Sequence, residues 1–208
     1  MFSITKFPPN LAKAVRVPAI RSVFFPFQRD GIIIVLMFTF NKTSMAKYEK
    51  KFFDFNINNI EGNNIDLSEY KDKAILLVNV ASNCGFTKQY GELQKLWSIY
   101  KKDGLIVLGV PSNQFGSQEP GTNDEIKKFC ETNFGITFPM TEKVSVKGPN
   151  AHPFYLWAEK TYGKDTVPKW NFHKIIIGKK GQVESAFTSF TKPTSEKFIK
   201  SLNKNLSM

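Results

Sequence analysis

Sulfur and imidazole are scarce in this chain. Its 208 residues include two cysteines, Cys84 and Cys130, and two histidines, His152 and His173. Two thiols exclude a small secreted scaffold stapled by disulfides. The four residues lie about 20–50 positions apart, without the paired short spacings of a zinc site. Neither histidine falls in the segments flanking Cys84, so a Cys-His hydrolase has no support. No G-x-G-x-x-G and no G-x-x-x-x-G-K-[S/T] occurs, which removes the usual phosphate cradles. The run Ile32-Ile33-Ile34-Val35-Leu36-Met37-Phe38 is far shorter than the roughly 20 apolar residues of a membrane span. Repeats and low-complexity tracts are absent as well.

What is present suits one globular domain with residues to spare. The chain is 41% apolar and holds 20 phenylalanines, enough for a core. Its net charge of +11 invites a nucleic-acid or anionic-membrane reading, but the charge is unevenly placed. Lys6, Lys13, Arg16, Arg21, Arg29, Lys42, Lys47 and Lys50 face only Asp30 and Glu49, so residues 1–50 carry over half of the excess. An acid-poor, arginine-bearing start has the composition of a transit peptide. The apolar run after position 31 has the length of a signal-peptide core, but its basic preamble is too long for one. Residues 1–44 are therefore expected to be a targeting leader, or an extension without fold, and residues 45–208 the domain. The leader predicts an organelle, mitochondrion or plastid. Met45 offers an internal start for an untargeted, cytoplasmic form. Nucleic acid is not an expected partner.

From about residue 50 the pattern becomes regular. Phe52-Phe53-Asp54-Phe55-Asn56-Ile57 alternates from Phe53 on and reads as a short strand. Residues 74–80 and 105–110 are nearly continuous apolar runs, as in strands covered on both faces. Tyr90, Leu93, Trp97 and Tyr100 recur at helical spacing up to Asp103-Gly104, a stop signal. Thr122-Asn123-Asp124-Glu125 is a capping box that opens a helix ending at Gly135. A further helix is predicted over 151–160 with Asn150 as its cap. Residues 174–178 and 182–187 flank Lys179-Lys180-Gly181 as a hairpin, and a closing helix starts near Pro193. The order predicts an α/β layered domain in which an antiparallel hairpin joins a parallel pair.

Cys84 lies four residues beyond the strand that ends at Val80 and just before the helix starting near Lys88. Unpaired N–H groups and the dipole of a helix N-terminus favour thiolate over thiol. Ser82-Asn83-Cys84-Gly85 is polar and turn-like, unlike the surroundings of a buried structural cysteine. Thr87 stands where a C-x-x-C pair would carry its second sulfur, so any resolving thiol is Cys130. By itself Cys130, on a helix with Ile126 and Phe129, reads as core. Ser112-Asn113-Gln114-Phe115-Gly116 follows the next strand as Cys84 follows the first. Parallel neighbouring strands bring both loops to one carboxyl edge, where open α/β sheets place their sites. Trp170-Asn171 precedes a strand that reaches the same edge if it runs antiparallel. Gln114, Asn171 and the Trp170 indole would then ring Cys84 with neutral donors. Taken singly, each has an ordinary reading as loop, core or turn.

These residues carry a family resemblance. Asn79-Val80-Ala81-Ser82-Asn83-Cys84-Gly85-Phe86-Thr87 resembles the peroxidatic motif of glutathione peroxidases. Pro111-Ser112-Asn113-Gln114-Phe115-Gly116-Ser117-Gln118-Glu119-Pro120-Gly121 resembles the second signature, and Lys169-Trp170-Asn171-Phe172 the third. The resemblance implies a thioredoxin fold, a central mixed sheet flanked by helices, with Cys84, Gln114, Trp170 and Asn171 as the catalytic tetrad. Cys84 stands where selenium-using members carry selenocysteine. Cys130, in Phe129-Cys130-Glu131-Thr132-Asn133-Phe134-Gly135, resembles the resolving cysteine of the thioredoxin-dependent branch. The interval from Pro139 to Trp170 lacks the oligomerisation insert of tetrameric members, so a monomer is expected.

The implied reaction is reduction of hydrogen peroxide and organic or lipid hydroperoxides through a Cys84 sulfenic acid and a Cys84–Cys130 disulfide. No cofactor and no metal is implied; a thioredoxin-like dithiol serves as reducing co-substrate. Two alternatives stay open. One is glutathione as the reductant, and the other a redox sensor that relays oxidation to a partner protein.

Overall fold

The computed structural model describes residues 50–207 and, as backbone, two three-residue strands of the leader. In the leader, β1 (Phe27–Arg29) pairs antiparallel with β2 (Ile32–Ile34), Phe27 opposite Ile34. The targeting leader expected over residues 1–44, the rest of its apolar run and the internal start expected at Met45 otherwise lie outside the described residues. The chain divides into two compact units, Met1–Tyr48 and Glu49–Met208.

The second unit is built on a four-stranded mixed sheet of order β4-β3-β5-β6. Its strands are β3 (Ala74–Val80), β4 (Leu105–Pro111), β5 (Lys174–Ile177) and β6 (Val183–Phe187). β3 and β4 run parallel, Ala74 opposite Leu105 and Val80 opposite Pro111. β5 returns antiparallel against β3, with Val78 opposite Lys174. The carboxyl ends of β3 and β4 and the amino end of β5 therefore share one edge. Every residue of β3 and β4 is buried, the reason these strands read as nearly continuous apolar runs.

Side-chain alternation divides the core between the two faces of the sheet. On one face Leu76, Val78 and Val80 pack with Tyr90, Leu93 and Leu96 of α1 (Gln89–Tyr100). Phe198 and Leu202 of α4 (Glu196–Ser207) close that side. On the other, Ile75 and Leu77 meet Phe154, Tyr155 and Ala158 of α3 (Pro153–Tyr162). α2 (Asn123–Phe134) joins the first face through Ile126 and Cys130. Its start is the capping box foreseen in the sequence: Glu125 N–H donates to Thr122 Oγ1 (3.3 Å) and Thr122 N–H to Glu125 Oε2 (2.7 Å). Gly135 ends it at φ 59°, a left-handed conformation that glycine adopts without a Cβ clash.

Two expectations are corrected. Residues 52–57 do not form a strand; Phe52–Asp54 is a 3-10 turn. The Asp54 carboxylate accepts from the Lys51 amide (2.7 Å), which favours the turn, and Phe52 and Phe55 then face the core three residues apart. Both rings pack edge-on against Phe154, at 5.1 and 5.8 Å between centroids. The cap of α3 is His152, not Asn150. Its Nδ1 accepts from the Phe154 amide (3.3 Å) and Pro153 occupies the first helical position.

Candidate active site

The site begins where β3 runs out. Asn79, 1% exposed, is the last polar break in that strand, and it grips the segment before β5. Its Nδ2 donates to the Trp170 carbonyl (3.1 Å) and its Oδ1 accepts from the His173 amide (3.1 Å). The Asn79 carbonyl accepts from the Phe172 amide (2.6 Å). Trp170 and Asn171 are thus fixed to the strand that carries Cys84.

Cys84 sits in a loop tied together by Thr87. The Thr87 hydroxyl accepts from the Cys84 amide (3.0 Å) and donates to the Ala81 carbonyl (2.9 Å). The Thr87 amide donates back to the Cys84 carbonyl (3.0 Å), which makes the turn leading into α1. Threonine thus closes the loop by hydrogen bonds where a C-x-x-C motif would place a thiol. Cys84 is buried, 8% exposed as a residue, and its sulfur accepts one hydrogen bond among the described residues, from the Phe86 amide (3.4 Å).

The loop after β4 packs beside it. Asn83 N–H donates to the Gln118 carbonyl (3.0 Å), and Asn171 Nδ2 donates to Gln118 Oε1 (2.9 Å). The Trp170 ring lies against Phe115, centroids 5.9 Å apart, and keeps 40% of its surface exposed. Cys84 on one loop and Trp170 and Asn171 on another are therefore stitched into one edge by Asn79 and by Gln118 of the loop after β4. Gln114 belongs to that edge by backbone, but its amide is committed elsewhere. Gln114 Oε1 accepts from the amides of Val146 (2.7 Å) and Lys147 (3.0 Å), and Nε2 donates to the Lys147 carbonyl (3.0 Å). No hydrogen bond joins Gln114, Trp170 or Asn171 to the sulfur among the described residues.

Next to this edge a cavity of about 380 Å³ is bounded by Phe86, Trp170, His173, Ser189 and Phe190. Phe190 is 84% exposed and meets Phe86 edge-on at 5.4 Å. His173 forms the buried wall. Burial first, then the neighbouring Lys174, pull its pKa down to about 4, so the ring is neutral at pH 7.

Cys130 is a free thiol, as is Cys84. It points into the core from α2 and is 1% exposed. Burial pushes its pKa up to about 11, with Tyr90 working in the opposite direction. Its far side borders a cavity of about 590 Å³ that Ile136, Phe138, Glu61 and Lys127 also line. Among the described residues no group of three or more His, Cys, Asp or Glu is placed to hold a metal ion. No helix of the described residues is long and apolar enough to cross a membrane.

Sequence reading did not single out the positioning residues Asn79 and Gln118, and it gave Thr87 only as the residue that replaces a second cysteine. Asn79 carried a signal, a lone amide within an apolar strand. Gln118 carried none, because a polar residue in a loop is ordinarily solvated.

The glutathione peroxidase family profile matches residues 52–159. The chain belongs to the glutathione peroxidase family. It is 42% identical over 156 residues to a hydroperoxy fatty acid reductase of Synechocystis, covering 71% of this chain and 92% of the relative. It is 43% identical over 145 residues to a glutathione peroxidase-like peroxiredoxin of Schizosaccharomyces pombe, covering 68% and 91%. Among solved structures, the crystal structure titled Trgpx in apo form matches with a TM-score of 0.61 at 37% identity. That match covers 76% of this chain and 97% of the other. Thioredoxin-like structures under 20% identical also superpose, with TM-scores of 0.53, and show the fold alone. This glutathione peroxidase family member is a cysteine-type thiol peroxidase on a thioredoxin fold.

Proposed function

We propose that the chain is a two-cysteine peroxidase in which Cys84 is the peroxidatic and Cys130 the resolving residue. The observation that carries this reading is the unequal housing of the two thiols. Cys84 lies in a preformed loop at the sheet edge, with an amide N–H on its sulfur, whereas Cys130 is sealed in the core on a helix. The Cys84 thiolate attacks the distal oxygen of the hydroperoxide, the O–O bond breaks, and the departing alkoxide or hydroxide takes up a proton as alcohol or water. Trp170 and Asn171, held at this edge, are the groups that face the incoming substrate. Gln114 joins them once its amide leaves Val146 and Lys147. The sulfenic acid then condenses with Cys130, and a thioredoxin-like dithiol reduces the disulfide by thiol exchange. The names of the relatives, one a hydroperoxy fatty acid reductase and one a glutathione peroxidase-like peroxiredoxin, support this substrate class and a protein dithiol over glutathione.

The apolar cavity between Phe86, Trp170 and Phe190 suits the organic part of a hydroperoxide. Residues 1–44 serve as an organellar address, and the enzyme acts as a monomer. The deciding experiment is Cys130→Ser. Thioredoxin-driven peroxide consumption is expected to fall to background while one equivalent of peroxide still oxidises Cys84. Undiminished turnover with thioredoxin would remove the resolving role, and faster wild-type turnover with glutathione would favour that reductant.

A further inference from the structure

The cavity beside the Cys84 loop contains a polar side chain that nothing in the fold satisfies. His173 is 3% exposed, and neither ring nitrogen has a hydrogen-bond partner among the described residues. Its backbone, by contrast, is held twice by β3. The His173 amide donates to Asn79 Oδ1 (3.1 Å), and its carbonyl accepts from the Asn79 amide (3.3 Å). The residue is thus fixed while its imidazole keeps unspent hydrogen-bonding capacity. A buried polar group without a partner costs about 1–3 kcal/mol and calls for a reason. The place of the ring supplies one. His173 lines the cavity of about 380 Å³ together with Phe86, Trp170 and Phe190. Phe86 connects that cavity to the chemistry, because its amide donates to the Cys84 sulfur (3.4 Å). The hydroxyl of Ser189, another lining residue, is spent on the Asn171 carbonyl (2.5 Å). Lys169, also of the lining, is 63% exposed along its side chain and lies 3.6 Å from the Asp165 carboxylate.

We propose that His173 is a specificity residue, its ring N–H binding an uncharged acceptor oxygen, an ester carbonyl, on the organic part of the hydroperoxide. This rests on the reading of Cys84 as the peroxidatic residue and narrows its substrate class. A neutral imidazole offers one N–H donor and one acceptor nitrogen. Burial, Lys174 and Lys169 work against a positive charge on this ring, with the Asp165 backbone and carboxylate opposing them, and the ring stays neutral at pH 7. An ester carbonyl takes a hydrogen bond from such a donor and brings no charge into the cavity. A free carboxylate in the same place would be a buried charge with a neutral partner, which is costly. Its nearest cation among the lining residues, Lys169, stands in solvent beside Asp165. Hydrogen peroxide has no organic part and draws nothing from the ring. Because Asn79 fixes the backbone, the imidazole offers its donor at little entropic cost on binding. The cavity so arranged ranks esterified acyl hydroperoxides above free acids of the same chain.

The test measures how fast hydroperoxides oxidise Cys84 in the reduced full chain, with no reductant present. The probes are hydrogen peroxide, the hydroperoxide of linoleic acid and the methyl ester of that hydroperoxide, the lipids kept below micelle-forming concentrations. Loss of the Cys84 thiol is followed by quenching and mass spectrometry. The wild type is expected to react faster with the ester than with the free acid. His173→Phe keeps an aromatic ring and removes the N–H. It is expected to lower the ester-to-acid and the ester-to-hydrogen-peroxide rate ratios about three- to tenfold each, the worth of one hydrogen bond between uncharged groups. His173→Gln, which keeps an amide donor, recovers most of both ratios. A Phe variant that slows all three probes together assigns the ring to packing and overturns the proposal. Equal losses with ester and acid overturn the preference for an uncharged oxygen, and unchanged ratios overturn the proposal in favour of a bound water. Should the Phe variant not fold, a wild type that reacts with the free acid as fast as with the ester overturns it equally. Failure of every probe to oxidise Cys84 in the wild type overturns the peroxidatic assignment beneath it, a result separable from the others.

Discussion

Lys174 is a residue whose chemistry the core holds in check. It is completely buried, and among the described residues its Nζ donates only to the Phe172 carbonyl (2.8 Å). Burial pulls its pKa down to about 7, with Glu92 opposing. An unfolded lysine keeps its proton up to about 10.5, so the unfolded state binds more protons between pH 7 and 10.5, and stability rises across that window. Lys174→Met is expected to remove this rise and to stabilise the fold at pH 7 by up to a few kcal/mol, roughly. Denaturant unfolding at pH 7 and 10 measures both effects, and an unchanged slope between them would contradict the burial argument. Asn79 behaves in the opposite way, since both ends of its side-chain amide are satisfied. Asn79→Leu strands the Trp170 carbonyl and the His173 amide and is expected to cost about 2–4 kcal/mol, read from the same unfolding curves. A loss below about 0.5 kcal/mol would mean that the clasp does not hold the two segments together.

At the scale of elements, α2 carries the tension of the design. It is well capped at both ends, and yet in the proposed cycle its buried thiol has to reach another loop. Local opening of α2 is the expected route, because a thiol sealed in the core cannot reach the peroxidatic loop while its helix stays intact. Thr122→Ala removes one half of the capping box at a cost of about 1 kcal/mol, which raises the opened fraction roughly fivefold. Faster amide exchange over α2 together with faster disulfide formation is the expected outcome. Faster exchange with an unchanged disulfide rate would show that opening does not limit the step. This helix was legible in the sequence to its last residue, because Thr122, Glu125 and Gly135 are chemical signals for its ends. β3 and β4 were legible for a related reason, a nearly continuous apolar run. The strand expected over 52–57 failed because a phenylalanine-rich stretch satisfies period 2 and an i, i+3 pattern equally well, and the Asp54–Lys51 bond decided it. The sheet edge that gathers Cys84, Trp170 and Asn171 followed from topology. The turning of Gln114 toward Val146 and Lys147 did not, since its partners are backbone groups 32 and 33 positions away with no side-chain signature.

For the molecule as a whole, every residue placed in the chemistry lies in the unit Glu49–Met208. Removal of residues 1–44 is expected to leave peroxide consumption within about twofold of the full chain, because no group that reacts or positions is lost. A larger loss would assign the leader a part in catalysis. Fused to a fluorescent reporter, residues 1–44 are expected to direct it to an organelle, and a diffuse signal would contradict the address. Much of the net charge leaves with that segment, so the remaining unit should also associate less with polyanions at low salt.

Thr87 also bears on how oxidation is displayed to other proteins. Its hydroxyl clasps the Cys84 loop with bonds to the Cys84 amide and the Ala81 carbonyl, neither of which involves sulfur. That clasp is indifferent to oxidant and reductant alike. In the proposed cycle the joining of Cys84 to Cys130 leaves this clasp in place, and the change of shape on oxidation is expected over α2. A partner that distinguishes the two states would read the contour of a helix rather than the chemistry of a thiol.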